Sequence, residues 1–185
     1  MKFTNKKFES ERLILRPWTM DDAEDFFEYA RVEGVGEMAG WPHHESIDQT
    51  KAVIQMFLKA GTCFAIVYKE NNKVIGSIDL RDEANPLSVD KDKRNANMGC
   101  VLSKDYWGQG LMPEAAKILF DFVFENDLVD NIYAGYFDYN LQSKRLQEKL
   151  GLKKVGEVDK KTATGKVEHL IVNRISKEEW LGILD

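Results

Sequence analysis

Two short stretches of the chain hold residue types and spacings that can do chemistry. The first is Tyr106-Trp107-Gly108-Gln109-Gly110-Leu111-Met112-Pro113-Glu114-Ala115. Before it, Ala96, Met98, Cys100 and Leu102 alternate, which predicts a strand. After it, Ala115, Ile118, Leu119, Phe122 and Val123 recur at helical spacing, with Pro113 read as the first helical position. Glycines between a strand and a helix start let backbone N–H groups approach a ligand closely. The helix start adds unpaired N–H groups and partial positive charge, so the stretch predicts an anion site, most naturally for phosphate. The second stretch is Asn140-Leu141-Gln142-Ser143. Asn140 suits a helix cap by type and position, and its amide offers both an acceptor and donors.

Several other chemistries find little support in the same residues. No Lys-Ser or Lys-Thr follows the second glycine, as a phosphate-binding P-loop requires, and Pro113 stands where a dinucleotide fingerprint needs a third glycine. No Gly-x-Ser-x-Gly elbow of a serine hydrolase occurs. Cys63 and Cys100 have neither metal-type nor redox-type spacing and are expected at buried strand positions. His43 and His44 are adjacent and His169 is far away, so no metal site is expected.

The elements that must position these stretches follow from pattern. Residues 1–10 read as a polar lead-in, and 12–16 as a strand stopped by Pro17. Thr19 caps a helix carrying Phe26, Phe27 and Ala30. Residues 33–45 read as a loop in which Trp41 either lines a substrate mouth or packs beneath the loop. Ser46 with Gln49 forms a capping box for a helix to about Lys59. Residues 62–68 and 73–80 form a hairpin about Asn71-Asn72, and 81–94 a charged, solvated loop. A strand at 131–138 leads to a helix from Asn140, ended by Gly151. Strands at 153–158 and 167–174 close the sheet, and Ser176 with Glu179 caps a last helix bearing Trp180. The order implies an α/β fold, a mixed, mostly antiparallel central sheet with helices on both faces, as a single domain over 1–185.

The stretch 106–111 resembles the acyl-CoA pyrophosphate loop of the GNAT acetyltransferase superfamily, whose pattern is Arg/Gln-x-x-Gly-x-Gly/Ala. Asp105 departs from it where Arg or Gln is usual. Asn140 to Ser143 followed by Glu148-Lys149-Leu150-Gly151-Leu152 is similar to a second block of that family, and Glu11 to Pro17 to its first strand. The Tyr-Trp-Gly-Gln-Gly form resembles in particular the ribosomal-protein (RimJ/RimL-like) branch. The resemblance covers about Arg12 to Trp180 and implies acetyl-CoA as co-substrate. It implies strands at 95–102 and 131–138 that splay apart to admit the pantetheine arm. The amides from Trp107 through Gly108, Gln109, Gly110 and Leu111 to Met112 would then hold pyrophosphate, and the backbone of Cys100, Val101 and Leu102 the thioester. Asn140 and Ser143 would contact the donor. Many relatives place an acidic tyrosine seven residues after the asparagine; Gln147 stands there and cannot serve, which leaves Ser143 as the candidate acid. Asn97 replaces a glutamate that relatives use as base, and Asp79, Glu168 and His169 on predicted strands could act only through water.

The net charge of −5 argues against a general nucleic-acid surface. No apolar run of membrane-spanning length and no secretory leader is seen, so a cytoplasmic protein, monomer or homodimer, is expected. The resemblance implies transfer of an acetyl group to a primary amine. The branch points to a protein N-terminal α-amine, such as that of a ribosomal or other basic protein drawn by acidic Glu33, Glu37, Glu45, Asp82, Glu83, Asp90 and Asp92 in two loops. A catalytically silent acyl-CoA sensor, a small-molecule acetyltransferase for aminoglycosides or polyamines, and a nucleotide-binding regulatory domain are the alternatives.

Overall fold

A computed structural model describes residues 2–82, 87 and 92–184. Its centre is an eight-stranded sheet in the order β1-β2-β3-β4-β5-β6-β8-β7. The strands are β1 (Phe8–Glu9), β2 (Leu13–Pro17), β3 (Cys63–Tyr68), β4 (Lys73–Arg81), β5 (Asn95–Leu102), β6 (Asn131–Phe137), β7 (Lys153–Lys161) and β8 (Val167–Ser176). Only β5 and β6 pair in parallel; every other neighbouring pair is antiparallel.

The alternation of β3 shows how one strand serves two layers. Phe64 and Ile66 point into the larger core, under α3 (Leu111–Glu125), α4 (Leu141–Lys149) and α5 (Lys177–Leu184). Ala65 and Val67 point to a second core under α1 (Ala23–Ala30) and α2 (Ile47–Ala60). Helices therefore cover both faces, as the element order implies. Burying apolar area on both sides is what fixes the register, since a one-residue slip would exchange the two cores.

Local details differ from expectation in instructive ways. Pro17 lies within β2, opposite Phe64, rather than beyond its end. Phe8 and Glu9, within the presumed lead-in, pair with Leu15 and Ile14. Ser46 Oγ accepts from Gln49 N–H, but Gln49 Oε1 returns to the amide of Glu45, one residue earlier than a capping box requires. The Ser176–Glu179 box is complete, with Glu179 Oε2 taking the Ser176 amide and Ser176 Oγ the Glu179 amide. Pro113 is the third residue of α3, not the first. Its missing N–H still costs nothing there, because the whole first turn lacks intrahelical acceptors. Cys63 and Cys100 sit on strands but are half-buried, and desolvation pushes both thiols up, Cys100 to about 12. Most of the expected solvated loop at 81–94 falls on residues 83–86 and 88–91, outside the described residues.

The sheet forks at its one parallel pairing. β5 and β6 are in register from Asn95↔Asn131 to Met98↔Ala134 and then part. A hydrogen bond from Asn131 Nδ2 to Asn95 Oδ1, 3.0 Å, closes the joined end. The first residue past the last pair is a glycine on each strand, Gly99 and Gly135. A Cβ on Gly99 would stand 2.3 Å from Asp79 Oδ1, and one on Gly135 2.9 Å from Leu170. Neighbouring strands thus lay side chains across both glycines, and the fork opens beyond them.

Candidate active site

The fork widens into a cleft of about 830 Å³. One wall is β5 from Asn97 to Leu102; the other is β6 from Ala134 to Phe137 with Val158 and Leu170 beyond it. The starts of α3 and α4 close one side, and Val35, Met38 and Ala39 roof another.

At the start of α3, Gly108 and Gly110 have φ of +76° and +77°, a left-handed region that glycine enters without strain. The amides of Gly108, Gln109, Gly110, Leu111 and Met112 donate to no acceptor among the described residues. Trp107 differs: its amide is committed to Lys104 O at 3.1 Å, which removes it from the predicted anion cradle. Its indole Nε1 donates to Leu102 O at 2.8 Å and sets the ring against the cleft. Gln109 offers its amide alone: its side chain turns back, with Nε2 donating to Asp105 O at 3.0 Å, and does not line the cleft. A Cβ added at Gly108 would meet nothing within 4 Å, so the space in front of that backbone is open to a ligand.

The loop is held from behind by Arg12, which sequence reasoning placed only on the first strand. Its Nη1 donates to Gln109 O at 3.0 Å, and its Nε donates to Glu114 Oε2 at 2.8 Å. Glu114 Oε1 also accepts from Ser10 Oγ at 2.6 Å and from the Arg12 amide at 3.1 Å. Burial pushes the Glu114 carboxyl up, but the Ser10 and Arg12 bonds outweigh it and hold the group below its usual range.

At the start of α4, Asn140 Oδ1 accepts the Ser143 amide at 3.0 Å, while Nδ2 donates to Met38 O at 3.0 Å. One side chain caps the helix and ties down the roof. Gly40 O accepts a second tie from the Ala163 amide at 2.9 Å. Ser143 lines the cleft, and its Oγ accepts from Gln147 Nε2 at 3.2 Å. Gln147, set aside in the sequence as a failed acid, is 1% exposed. Its Oε1 has no partner, and of the four buried side-chain atoms in that state among the described residues it belongs to the one residue that lines the cleft.

Other expected groups lie elsewhere. Trp41 packs against His44, 5.1 Å between ring centroids, and is not a cleft residue. Glu37 serves its own loop, accepting from the amides of Gly34 and His43 and pairing with His43 Nδ1 at 2.9 Å. Burial raises its pKa, but His43 and the amides dominate and lower it to about 2. His44 is buried against Thr50, and desolvation lowers its pKa. His169 pairs with Asp159 at 2.9 Å, which raises its pKa, and Glu157 adds to the effect. Asp79 pairs with Arg81 at 3.1 Å. The charged cleft residues among those described are Arg81, Arg145, Lys149, Lys160, Lys161 and Asp159. The acidic loop residues expected to draw a basic partner are not among them; Glu83 and Asp90 lie outside the described residues. A cation-lined cleft with unpaired amides at a helix start suits a phosphate-bearing ligand.

Residues 12–153 match the acetyltransferase (GNAT) domain, and the chain belongs to that family. A relative named uncharacterized N-acetyltransferase p20, from Bacillus licheniformis, is 26% identical over 179 residues, covering 94% of this chain and 97% of its own. The fold matches the ribosomal-protein-S5-alanine acetyltransferase of Vibrio fischeri with a TM-score of 0.73 at 22% identity, over 95% of this chain and 99% of that one. It also matches the microcin C7 self-immunity acetyltransferase MccE, solved with acetyl-CoA and AMP, with a TM-score of 0.77 at 14% identity, over 90% of this chain and 93% of that one. No helix among the described residues is long and apolar enough to cross a membrane.

Proposed function

We propose that the protein transfers an acetyl group from acetyl-CoA to a primary amine, and that the acceptor is the N-terminal α-amine of a protein or peptide. The observation that carries the reading is the row of uncommitted amides from Gly108 to Met112 at the mouth of the forked sheet. Acetyl-CoA would supply an activated acyl carbon and a thiol leaving group. The amides, aided by the α3 dipole, would hold its pyrophosphate, while Arg12, oriented by Glu114, keeps the loop in shape through the Gln109 carbonyl. The backbone of Cys100, Val101 and Leu102, which has no strand partner on the β6 side, would receive the pantetheine arm and thioester. Ser143 would pass its proton to the departing sulfur, and Asn140 would hold Ser143 and the roof in place.

The acceptor assignment rests on chemistry. Asp159 is the one carboxylate among the described cleft residues, and it is paired with His169. An α-amine, with a reference pKa of about 7.7–8.0, needs little help to be neutral, whereas a lysine amine at about 10.4 needs a strong base. Arg81, Lys160 and Lys161 on the wall disfavour a polycation such as an aminoglycoside. They also favour a peptide whose first residues are not basic, whatever the charge of the protein behind them. The likeness to a ribosomal-protein acetyltransferase supports a protein N-terminus.

The test is free-thiol release with three acceptors: a peptide with a free N-terminus, the same peptide N-blocked, and an aminoglycoside. Turnover is expected on the first alone. Activity surviving the block would assign lysine side chains. CoA binding without thiol release on any amine would make the protein a silent acyl-CoA binder.

A further inference from the structure

A hydroxyl carries one proton, and which neighbour takes it decides what the group can do. In α4 the Gln147 carboxamide nitrogen donates to Ser143 Oγ at 3.2 Å, so that bond does not use the serine's proton. The Ser143 amide is occupied by Asn140, and no acceptor among the described residues takes the Ser143 O–H. The proton is therefore left for the cleft. The other carboxamide atom, Gln147 Oε1, is buried without a partner in a residue that lines the same cleft. A buried acceptor left unsatisfied costs stability unless something supplies a donor.

We propose that Gln147 is a positioning residue whose carboxamide aims the Ser143 proton at the donor's sulfur and takes an amide N–H from the donor's pantetheine arm. The inference rests on Ser143 acting as the acid. As the carbon–sulfur bond breaks, its electron pair stays on sulfur. The Ser143 O–H bond breaks and an S–H bond forms. Charge developing on Oγ is met by the Gln147 N–H until water returns a proton to it. The same geometry keeps Ser143 from turning its proton away between turnovers.

Gln147→Glu separates the two atoms. Its carboxylate keeps an acceptor for the donor's N–H but accepts the Ser143 proton instead of donating to Oγ. Calorimetry with CoA alone, without any amine, should show nearly native affinity, while turnover falls about 10²-fold. The ratio of variant to native turnover should recover as pH falls and the introduced carboxyl regains a proton to donate. Gln147→Leu removes both atoms: CoA affinity should fall about tenfold, and turnover should fall with no recovery at low pH. Gln147→Glu added to Ser143→Ala should be no slower than Ser143→Ala alone. Native-like turnover in Gln147→Glu, a flat pH ratio, or a full further loss in the Ser143→Ala background would overturn the proposal. Unchanged CoA affinity in Gln147→Leu would remove the pantetheine contact. Ser143→Ala at native speed would instead sink the acid assignment itself and the Gln147 role with it.

Discussion

Two helices begin at the cleft, and they begin in opposite ways. α3 starts from Gly110 with no side-chain cap, and the amides around its first turn have no acceptor. α4 starts from Asn140, whose side chain takes the Ser143 amide and holds the roof at Met38. A capping residue such as Ser, Asp or Asn at Gly110 would satisfy α3 amides internally and remove the proposed anion site. A glycine at position 140 would free the amides of α4 but release Ser143 and the roof. One helix start is left unsatisfied, as the proposed donor site requires, and the other is satisfied by its own cap.

The largest effect should come from breaking the uncapped start. Gly110→Val forces a β-branched residue to φ near +77°, where only glycine sits easily, and moves the amides. Charge-assisted hydrogen bonds are individually strong, so CoA affinity measured by calorimetry should fall about 10²-fold with the fold intact. Unchanged affinity would place the donor elsewhere. Breaking the capped start should act on a different quantity. Asn140→Ala loses a helix cap worth about 0.5–2 kcal/mol, lowering Tm by several degrees. It should reduce turnover roughly tenfold through misplacement of Ser143, with a smaller change in CoA affinity. Equal losses in affinity from both variants would erase the contrast between the two starts.

The smallest effect concerns the roof. His43 and the loop amides hold the Glu37 carboxyl at about 2, below the usual 4.5, so its contribution is present above pH 4.5 and lost as pH falls toward 2. Glu37 raises His43 above the usual imidazole value of 6.5, so its contribution is present below that value and lost as pH rises through the raised one. The clasp is therefore strongest between about pH 4.5 and 6.5. Glu37→Gln should flatten the pH dependence of Tm on both sides of that window. An unaltered profile would show that the clasp adds nothing to stability.

The sequence shows what is local. Alternation placed the strands, three- and four-residue spacing the helices, and paired cap residues the start of α5, because each signal lies within a few positions. The two glycines at 108 and 110 were legible for the same reason. What could not be read was pairing across the chain. Arg12 and Glu114 are 102 positions apart, and nothing near either announces the other. Gly99 and Gly135 look like weak spots in two strands until the parallel register sets them side by side at the fork. Gln147 is no acid, as its type says; its bond to Ser143 Oγ, four positions back, is legible only once the helix is built. Trp41 was a choice between two outcomes that only packing could settle.

The Arg12 clamp also bears on how portable the proposed anion cradle is. A loop that owes its shape to its own residues can be cut out and grafted onto another scaffold. Here the guanidinium that fixes the Gln109 carbonyl comes from the strand end at the far side of the chain, and its orientation depends on a carboxylate in the helix that follows. A transplanted 106–115 segment would carry its glycines but not its curvature. The cradle is a property of the assembled sheet, not a module within it.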